Sequence, residues 1–160
     1  ANALRKFKGV KRRQEVLIEK GGVVLIEDFA HHPTAVFQTI QAVKEAYPGK
    51  KLWAVFEPRS NTSRRAVFRE DYAQAFVLAD RAVIAKVEAR AIDHETKLLD
   101  AHELSRAISE GGTPCLCLPD AATIAEYLMA EVGSNDVLLV MSNGSFGGLP
   151  ALLQEKLQKR

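Results

Sequence analysis

Five short apolar runs pace this chain, each too brief to be a buried helix. They occupy residues 23–27, 52–56, 82–87, 114–118 and 137–141. Runs of that length, bounded by polar or turn-forming residues, read as strands buried on both faces. Residues 16–18 form a weaker sixth candidate, separated from the next run by Lys20-Gly21-Gly22. That tripeptide predicts an antiparallel hairpin where the sheet begins.

Helical stripes fill the intervals. Val36, Ile40, Val43 and Tyr47 recur at helical spacing, as do Phe68, Tyr72, Ala75, Phe76 and Ala79. Shorter stripes run through Leu104, Ala107 and Ile108, and through Ile124, Tyr127 and Leu128. Leu149, Leu152, Leu153 and Leu157 close the chain. Each stripe can bury one face while charged residues keep the other in water. Pro33 suits the first turn of a helix, where its missing N–H costs nothing, and Asp120 suits a cap. Strand and helix therefore alternate. The expected fold class is α/β: a three-layer, Rossmann-like sandwich, with a mostly parallel sheet of about six strands and helices on both faces. No repeat or low-complexity linker divides residues 1–160, so one domain is expected.

Composition narrows the function classes. A net charge of +2 is too small to call for nucleic acid or an anionic membrane. No apolar run approaches the roughly 20 residues of a membrane span. Cys115 and Cys117 alternate with leucines as small core residues of a strand would. A disulfide between them would be strained, and two thiols are too few for a structural zinc site. A reducing, cytoplasmic setting is the expectation. The chain opens Ala1-Asn2-Ala3-Leu4 without Met, which suggests a piece of a longer protein.

In an open parallel sheet, ligands gather outside the carboxyl ends of the strands. Three polar segments leave those ends here. The first is Asp28-Phe29-Ala30-His31-His32-Pro33. Its acid can accept from ribose hydroxyls, hold a neighbouring loop or cap the helix, and its histidines change charge near neutral pH. Adjacent histidines without a further ligand at suitable spacing do not predict a metal site. The second, residues 57–65, brings Arg59, Arg64 and Arg65 together with Ser60, Asn61, Thr62 and Ser63. Guanidinium groups grip carboxylates and phosphates through paired hydrogen bonds, and cations at a helix start oppose its dipole. The third is Ser142-Asn143-Gly144-Ser145-Phe146-Gly147-Gly148, where glycines admit a ligand to the backbone or simply make a tight turn. Lys11-Arg12-Arg13 is a basic run that reads as solvated, or as a phosphate contact. Asp93, His94, Glu95, Asp100 and His102 read as surface residues, and Trp53 as core. There is no Walker loop, dinucleotide glycine fingerprint or nucleophile elbow. The chain shows no full catalytic set of its own.

Taken together, Phe7-Lys8-Gly9-Val10-Lys11-Arg12-Arg13-Gln14-Glu15, Asp28 to Pro33, and Phe56-Glu57-Pro58-Arg59-Ser60-Asn61-Thr62-Ser63-Arg64-Arg65 resemble the C-terminal domain of the Mur ligases. The loop at 57–65 is similar to the branch that ligates a murein tripeptide in recycling. It lacks the His-Arg-Tyr-type sequence of the L-alanine-adding branch.

The resemblance implies an ATP-dependent, Mg²⁺-requiring ligase that joins L-Ala-γ-D-Glu-meso-diaminopimelate to UDP-N-acetylmuramate through an acyl phosphate. It places the phosphate loop, the Mg²⁺ ligands and the UDP-sugar site on other domains of the same chain. It implies that this domain closes over ATP. By the same resemblance Arg13 reaches the γ-phosphate and Asp28 holds the ribose. His31 and His32 line the nucleotide and acceptor cleft, with Arg13 and His31 as the catalytic candidates. Arg59, Ser60, Asn61, Arg64 and Arg65 grip the acceptor's carboxylates, and Ser142, Asn143 and Gly144 form the far rim. The competing expectations are an L-alanine-adding ligase and a free-standing nucleotide-binding module.

Overall fold

A computed structural model of the protein describes residues 11–60, 65–86 and 98–160. Strands β1 (Glu15–Lys20) and β2 (Val23–Asp28) form the expected antiparallel hairpin. Gly21 and Gly22 turn it at φ 59° and 82°, the left-handed pair that a two-residue hairpin loop requires. A Cβ on Gly22 would stand 1.9 Å from the Ser134 carbonyl oxygen, so no larger residue fits there.

Beyond the hairpin, strand and helix alternate. Helix α1 (Pro33–Ala46) leads to β3 (Lys51–Phe56), α2 (Arg69–Ala75) to β4 (Arg81–Ala85), and α3 (Ala101–Glu110) to β5 (Cys115–Leu118). Helix α4 (Ala121–Glu131) leads to β6 (Asp136–Met141), and α5 (Leu149–Lys159) follows. The sheet has six strands in the order β1-β2-β6-β3-β4-β5. All neighbours except β1 and β2 run parallel.

Period-two alternation explains why the runs are apolar throughout. Val24, Ile26, Ala54, Phe56, Leu139 and Met141 face one core beneath α1, α2 and α3. Leu25, Val55, Leu138 and Val140 face a second core beneath α4 and α5. A parallel sheet covered on both faces leaves its central strands no polar side. Trp53 is core as expected, and its indole N–H donates to buried Asp136 at 2.9 Å.

Two details depart from the sequence reading. The stripe from Phe68 to Ala79 is not one helix. A 3₁₀ turn (Ala66–Phe68) precedes α2, which stops at Ala75. The chain then turns through Val77 N–H to Gln74 O and Ala79 N–H to Phe76 O. That shortening lets Asp80 donate its N–H to Leu52 O and set β4 in register beside β3. Cys115 and Cys117 sit on the edge strand and are half-buried rather than enclosed. Burial still pushes the Cys115 thiol up to about 12. Val87, Asn61, Thr62, Ser63, Arg64, Asp93, His94 and Glu95 lie outside the described residues.

Candidate functional site

The strand order brings the ends of β2, β6 and β3 side by side. Asp28 pairs with Met141, and Met141 with Phe56, so three strands finish in one row. The next residues extend the ladder: Ser142 N–H donates to Asp28 O, and Glu57 N–H to Met141 O, each at 3.1 Å. From that row the chain diverges. β2 and β3 lead to helices on one face, whereas β6 leads to α5 on the other. Neighbouring connections that leave in opposite directions open a crevice, which is where open α/β sheets bind ligands.

Arg12 pins the leading segment across this crevice. Its Nε donates to Glu27 Oε1 at 2.8 Å, and its Nη2 donates to Ser142 O at 2.7 Å and to Gly144 O. Its backbone N–H donates to Glu15 and its carbonyl accepts from Phe29 N–H at 2.9 Å. Arg12 and Gln14 hold positive φ, 57° and 47°. Left-handed backbone at non-glycine residues persists only where surroundings over-determine it, and here five partners do. The basic run is thus divided: Arg12 is a half-buried tie, while Arg13 is exposed.

Asp28 is 3 % exposed. One carboxylate oxygen accepts from Gln14 N–H at 2.8 Å and the other from Ala30 N–H at 2.6 Å. Of the three readings open to this acid, its geometry matches the one that holds a neighbouring loop. His31 lies beyond it, half-buried, with Nδ1 3.0 Å from Phe29 O. A carbonyl only accepts, so the neutral ring carries its proton on Nδ1 and leaves Nε2 as an acceptor. Tyr72 fixes the same turn by donating its hydroxyl to His31 O. The Phe29 ring holds the guanidinium carbons of Arg12 and Arg13 at 5.4 and 5.7 Å from its centroid. Arg13 therefore stands over the β2 end. His32 is exposed and packs edge-on against Phe68 at 5.6 Å.

The β3 and β6 loops interlock. Ser142 Oγ donates to Glu57 Oε2 and accepts from Gly144 N–H at 2.9 Å. Arg59 lies across the bare Cα of Gly144, where an added Cβ would come within 2.3 Å of Arg59 Cδ. Gly144 is thus the contact surface for an exposed arginine. Asn143 Oδ1 is buried with no hydrogen-bond partner among the described residues, an open acceptor beside these polar groups. Phe146, Gly147 and Gly148 then hold φ of 46°, 56° and 80° in succession before α5.

The residues singled out from sequence thus divide. Arg13, Asp28, His31, Arg59, Ser142, Asn143 and Gly144 meet around one row of strand ends, with His32 at its flank. Ser60 follows Arg59 on the same segment, and Arg65 leads the 3₁₀ turn. Asn61 and Arg64 lie outside the described residues. Sequence reasoning missed Arg12, Glu57 and Phe29 as organisers of the site. The side-chain partners lie 15 to 132 residues away for Arg12 and 85 for Glu57, beyond any local pattern. Among the described residues no His, Cys, Asp and Glu side chains gather into a group of three able to hold a metal.

Known proteins resemble this chain in sequence and in fold. The family description "Mur ligase, glutamate ligase domain" matches residues 12–144. UDP-N-acetylmuramate–L-alanyl-gamma-D-glutamyl-meso-2,6-diaminoheptandioate ligase of Escherichia coli is 33% identical, over all of this chain and 33% of its own length. UDP-N-acetylmuramate–L-alanine ligase of Clostridium acetobutylicum is 32% identical, over 89% of this chain and 31% of its own. The crystal structure of a murein peptide ligase from Psychrobacter arcticus superimposes with a TM-score of 0.77 at 28% identity, covering 99% of this chain and 32% of that one. The chain thus spans about a third of the length of these relatives. With residues 12–144 matched to the family and its fold shared by a solved member, the chain belongs to the Mur ligases and forms their C-terminal, glutamate ligase domain.

Proposed function

We propose that this chain is the closing domain of a three-domain, ATP-dependent ligase joining L-Ala-γ-D-Glu-meso-diaminopimelate to UDP-N-acetylmuramate in murein recycling. The observation that carries the reading is the interlock of Arg59 on Gly144 beside Ser142 and Glu57. It holds an arginine-bearing loop at the crevice, where an acceptor rich in carboxylates needs cations. The Escherichia coli ligase and the murein peptide ligase named above match nearly the whole chain.

In this reading ATP phosphorylates the UDP-N-acetylmuramate carboxylate, the peptide amine attacks the acyl phosphate, and phosphate leaves. Arg13, exposed over the β2 end, reaches the γ-phosphate when the domain closes and stabilises charge as it develops. His31 presents Nε2 to the cleft, and His32 lines its flank. Asp28 serves the nucleotide side by fixing Gln14 and Ala30 rather than through an open carboxylate. Arg59, Ser60, Asn61, Arg64 and Arg65 hold the acceptor's carboxylates, and Ser142, Asn143 and Gly144 form the opposite rim. Mg²⁺ would offset charge on the transferring phosphate, held by the other domains. Closure excludes water from the acyl phosphate. The setting of such a ligase is cytoplasmic.

An L-alanine-adding ligase is the competing reading, because such enzymes match with nearly the same identity. Ligation by the full-length enzyme with ATP, Mg²⁺ and UDP-N-acetylmuramate decides between them. Preference for the tripeptide over L-alanine is expected, and preference for L-alanine overturns the acceptor assignment. Arg13→Ala should lower turnover about 100-fold or more; unchanged turnover removes Arg13 from the phosphate.

A further inference from the structure

Phe29, in the turn after β2, has no part in the proposed chemistry, yet its contacts run to both catalytic candidates. It is half-buried between the buried residues Asp28 and Ala30. Its ring centroid lies 5.7 Å from the Arg13 guanidinium carbon and 5.4 Å from that of Arg12. The His31 ring meets it edge-on, with centroids 5.3 Å apart and planes at 79°. Both arginine separations fall within the range over which the negative face of a ring attracts a cation.

The two arginines on this ring are held differently. Arg12 is paired with Glu27 at 2.8 Å, and its remaining donors engage the β6 loop. The exposed side chain of Arg13 makes no hydrogen bond or ion pair among the described residues, and it rests on the ring. A carboxylate partner would hold Arg13 by occupying its N–H donors and offsetting its charge. A ring attracts the charge through its quadrupole and leaves the five donors open for a bidentate grip. The backbone beneath is fixed. Phe29 N–H donates to Arg12 O at 2.9 Å, and the Asp28 carboxylate accepts from Gln14 N–H and Ala30 N–H. These bonds staple residues 12–14 to residues 28–30, with Arg13 between two residues of positive φ. An exposed arginine on so fixed a backbone still has its own rotamer freedom. The ring favours the rotamers that lie over the β2 end.

We propose that Phe29 is a positioning residue for Arg13. Its ring holds the guanidinium at the crevice with charge and donors uncommitted, so that the arginine meets the transferring phosphate already placed. Donors set before charge develops need no reorganisation during the reaction. The inference rests on the reading above, in which Arg13 reaches the γ-phosphate, and adds the group that places it there. Phe29 acts through Arg13.

The test measures ligation by the full-length enzyme with ATP, Mg²⁺, UDP-N-acetylmuramate and whichever acceptor the wild type takes. Phe29→Leu keeps an apolar side chain and removes the ring. It should lower kcat about five-fold or more while the KM of the acceptor stays within about two-fold, because the lost placement matters in the transition state. Phe29→Met, a second ringless variant, should repeat the loss. Phe29→Tyr keeps the ring and should stay within about two-fold of wild type. The deciding readout is a double variant. In an Arg13→Ala background Phe29→Leu should cost less than about two-fold, because the residue it places is gone. The assignment is overturned, with the phosphate role of Arg13 left standing, by any of four results: no loss in Phe29→Leu, a Phe29→Tyr variant equally slow, equal losses with and without Arg13, or a loss that vanishes in a His31→Ala background instead. If Arg13→Ala itself leaves turnover unchanged, the phosphate reading falls and the Phe29 assignment falls with it.

Discussion

Two strands hand the chain to the same face of the sheet, β5 into α4 and β6 into α5, and they do it in opposite ways. After β5, Pro119 and Asp120 suffice. Asp120 is extended, and its carboxylate accepts from Thr123 N–H at 2.8 Å, capping α4 by itself. After β6, seven residues intervene, no side chain caps α5, and three consecutive residues adopt positive φ. The first loop is stabilised locally. The second is held from outside, by Arg12 on its carbonyls, Glu57 on Ser142 and Arg59 over Gly144. A loop that only starts a helix needs one capping residue. A loop that presents groups to a ligand is shaped by distant partners, at a cost in backbone strain.

The largest expected effect tests whether the β6 loop depends on its buried anchor. Phe146 is 2 % exposed yet sits at φ 46°. Phe146→Ala should cost about 3 kcal/mol, since the lost burial outweighs any relief of strain. Urea denaturation measures it, and a cost below about 1 kcal/mol would mean that strain had cancelled most of the anchoring. The next effect concerns the tie from the leading segment. Arg12→Met keeps much of the stem but leaves Glu27 and two carbonyls short of a donor, costing about 2 kcal/mol by the same measurement. In the full-length enzyme it should also depress turnover, although the proposed chemistry does not use Arg12. Unchanged turnover would show that the tie serves stability alone.

Gly144→Ala separates shape from stability more sharply. The added methyl would overlap Arg59, an exposed side chain free to swing away. Stability should therefore fall by less than about 1 kcal/mol, while KM for the acceptor rises. If KM holds and stability falls instead, Arg59 is a structural strut rather than a ligand-facing group.

These contrasts also mark what the sequence made legible. The layered fold was readable, because burial on both faces forces uninterrupted apolar strands and amphipathic helices, patterns that local periodicity records. The hairpin and the Asp120 cap were readable for the same reason: Gly21-Gly22 and Asp120 act on residues within a few positions. The convergence of three polar loops followed from the rule about strand ends. The internal wiring of the site was not readable. Arg12 and Arg13 are adjacent and identical, yet one is tied into the crevice and the other is exposed, and only the strand order β2-β6-β3 decides which. Asp28 likewise offered three roles on paper, and only the fold shows its carboxylate taking the Gln14 and Ala30 amides. The split of the 68–79 stripe reflects the register of β4 against β3, another long-range demand.

The smallest effect lies in the β5 loop. Asp120→Ala removes a cap that touches nothing beyond its own helix, so it should lower stability least of these variants and leave acceptor KM unaltered. Its pH dependence identifies the cause. The Thr123 backbone N–H holds the Asp120 carboxyl below the usual aspartate range, with the Thr123 side chain adding to it. A carboxyl whose folded value is depressed stabilises the fold fully above its unfolded value, about 3.9, and loses that contribution as pH falls through the folded value. The stability difference between wild type and Asp120→Ala should thus be constant near neutrality and close below about pH 4. The Phe146→Ala difference has no such titration and should persist. If the Asp120 difference also survives at low pH, the cap acts by side-chain geometry rather than charge, and the contrast between a locally capped loop and a remotely held one would rest on shape alone.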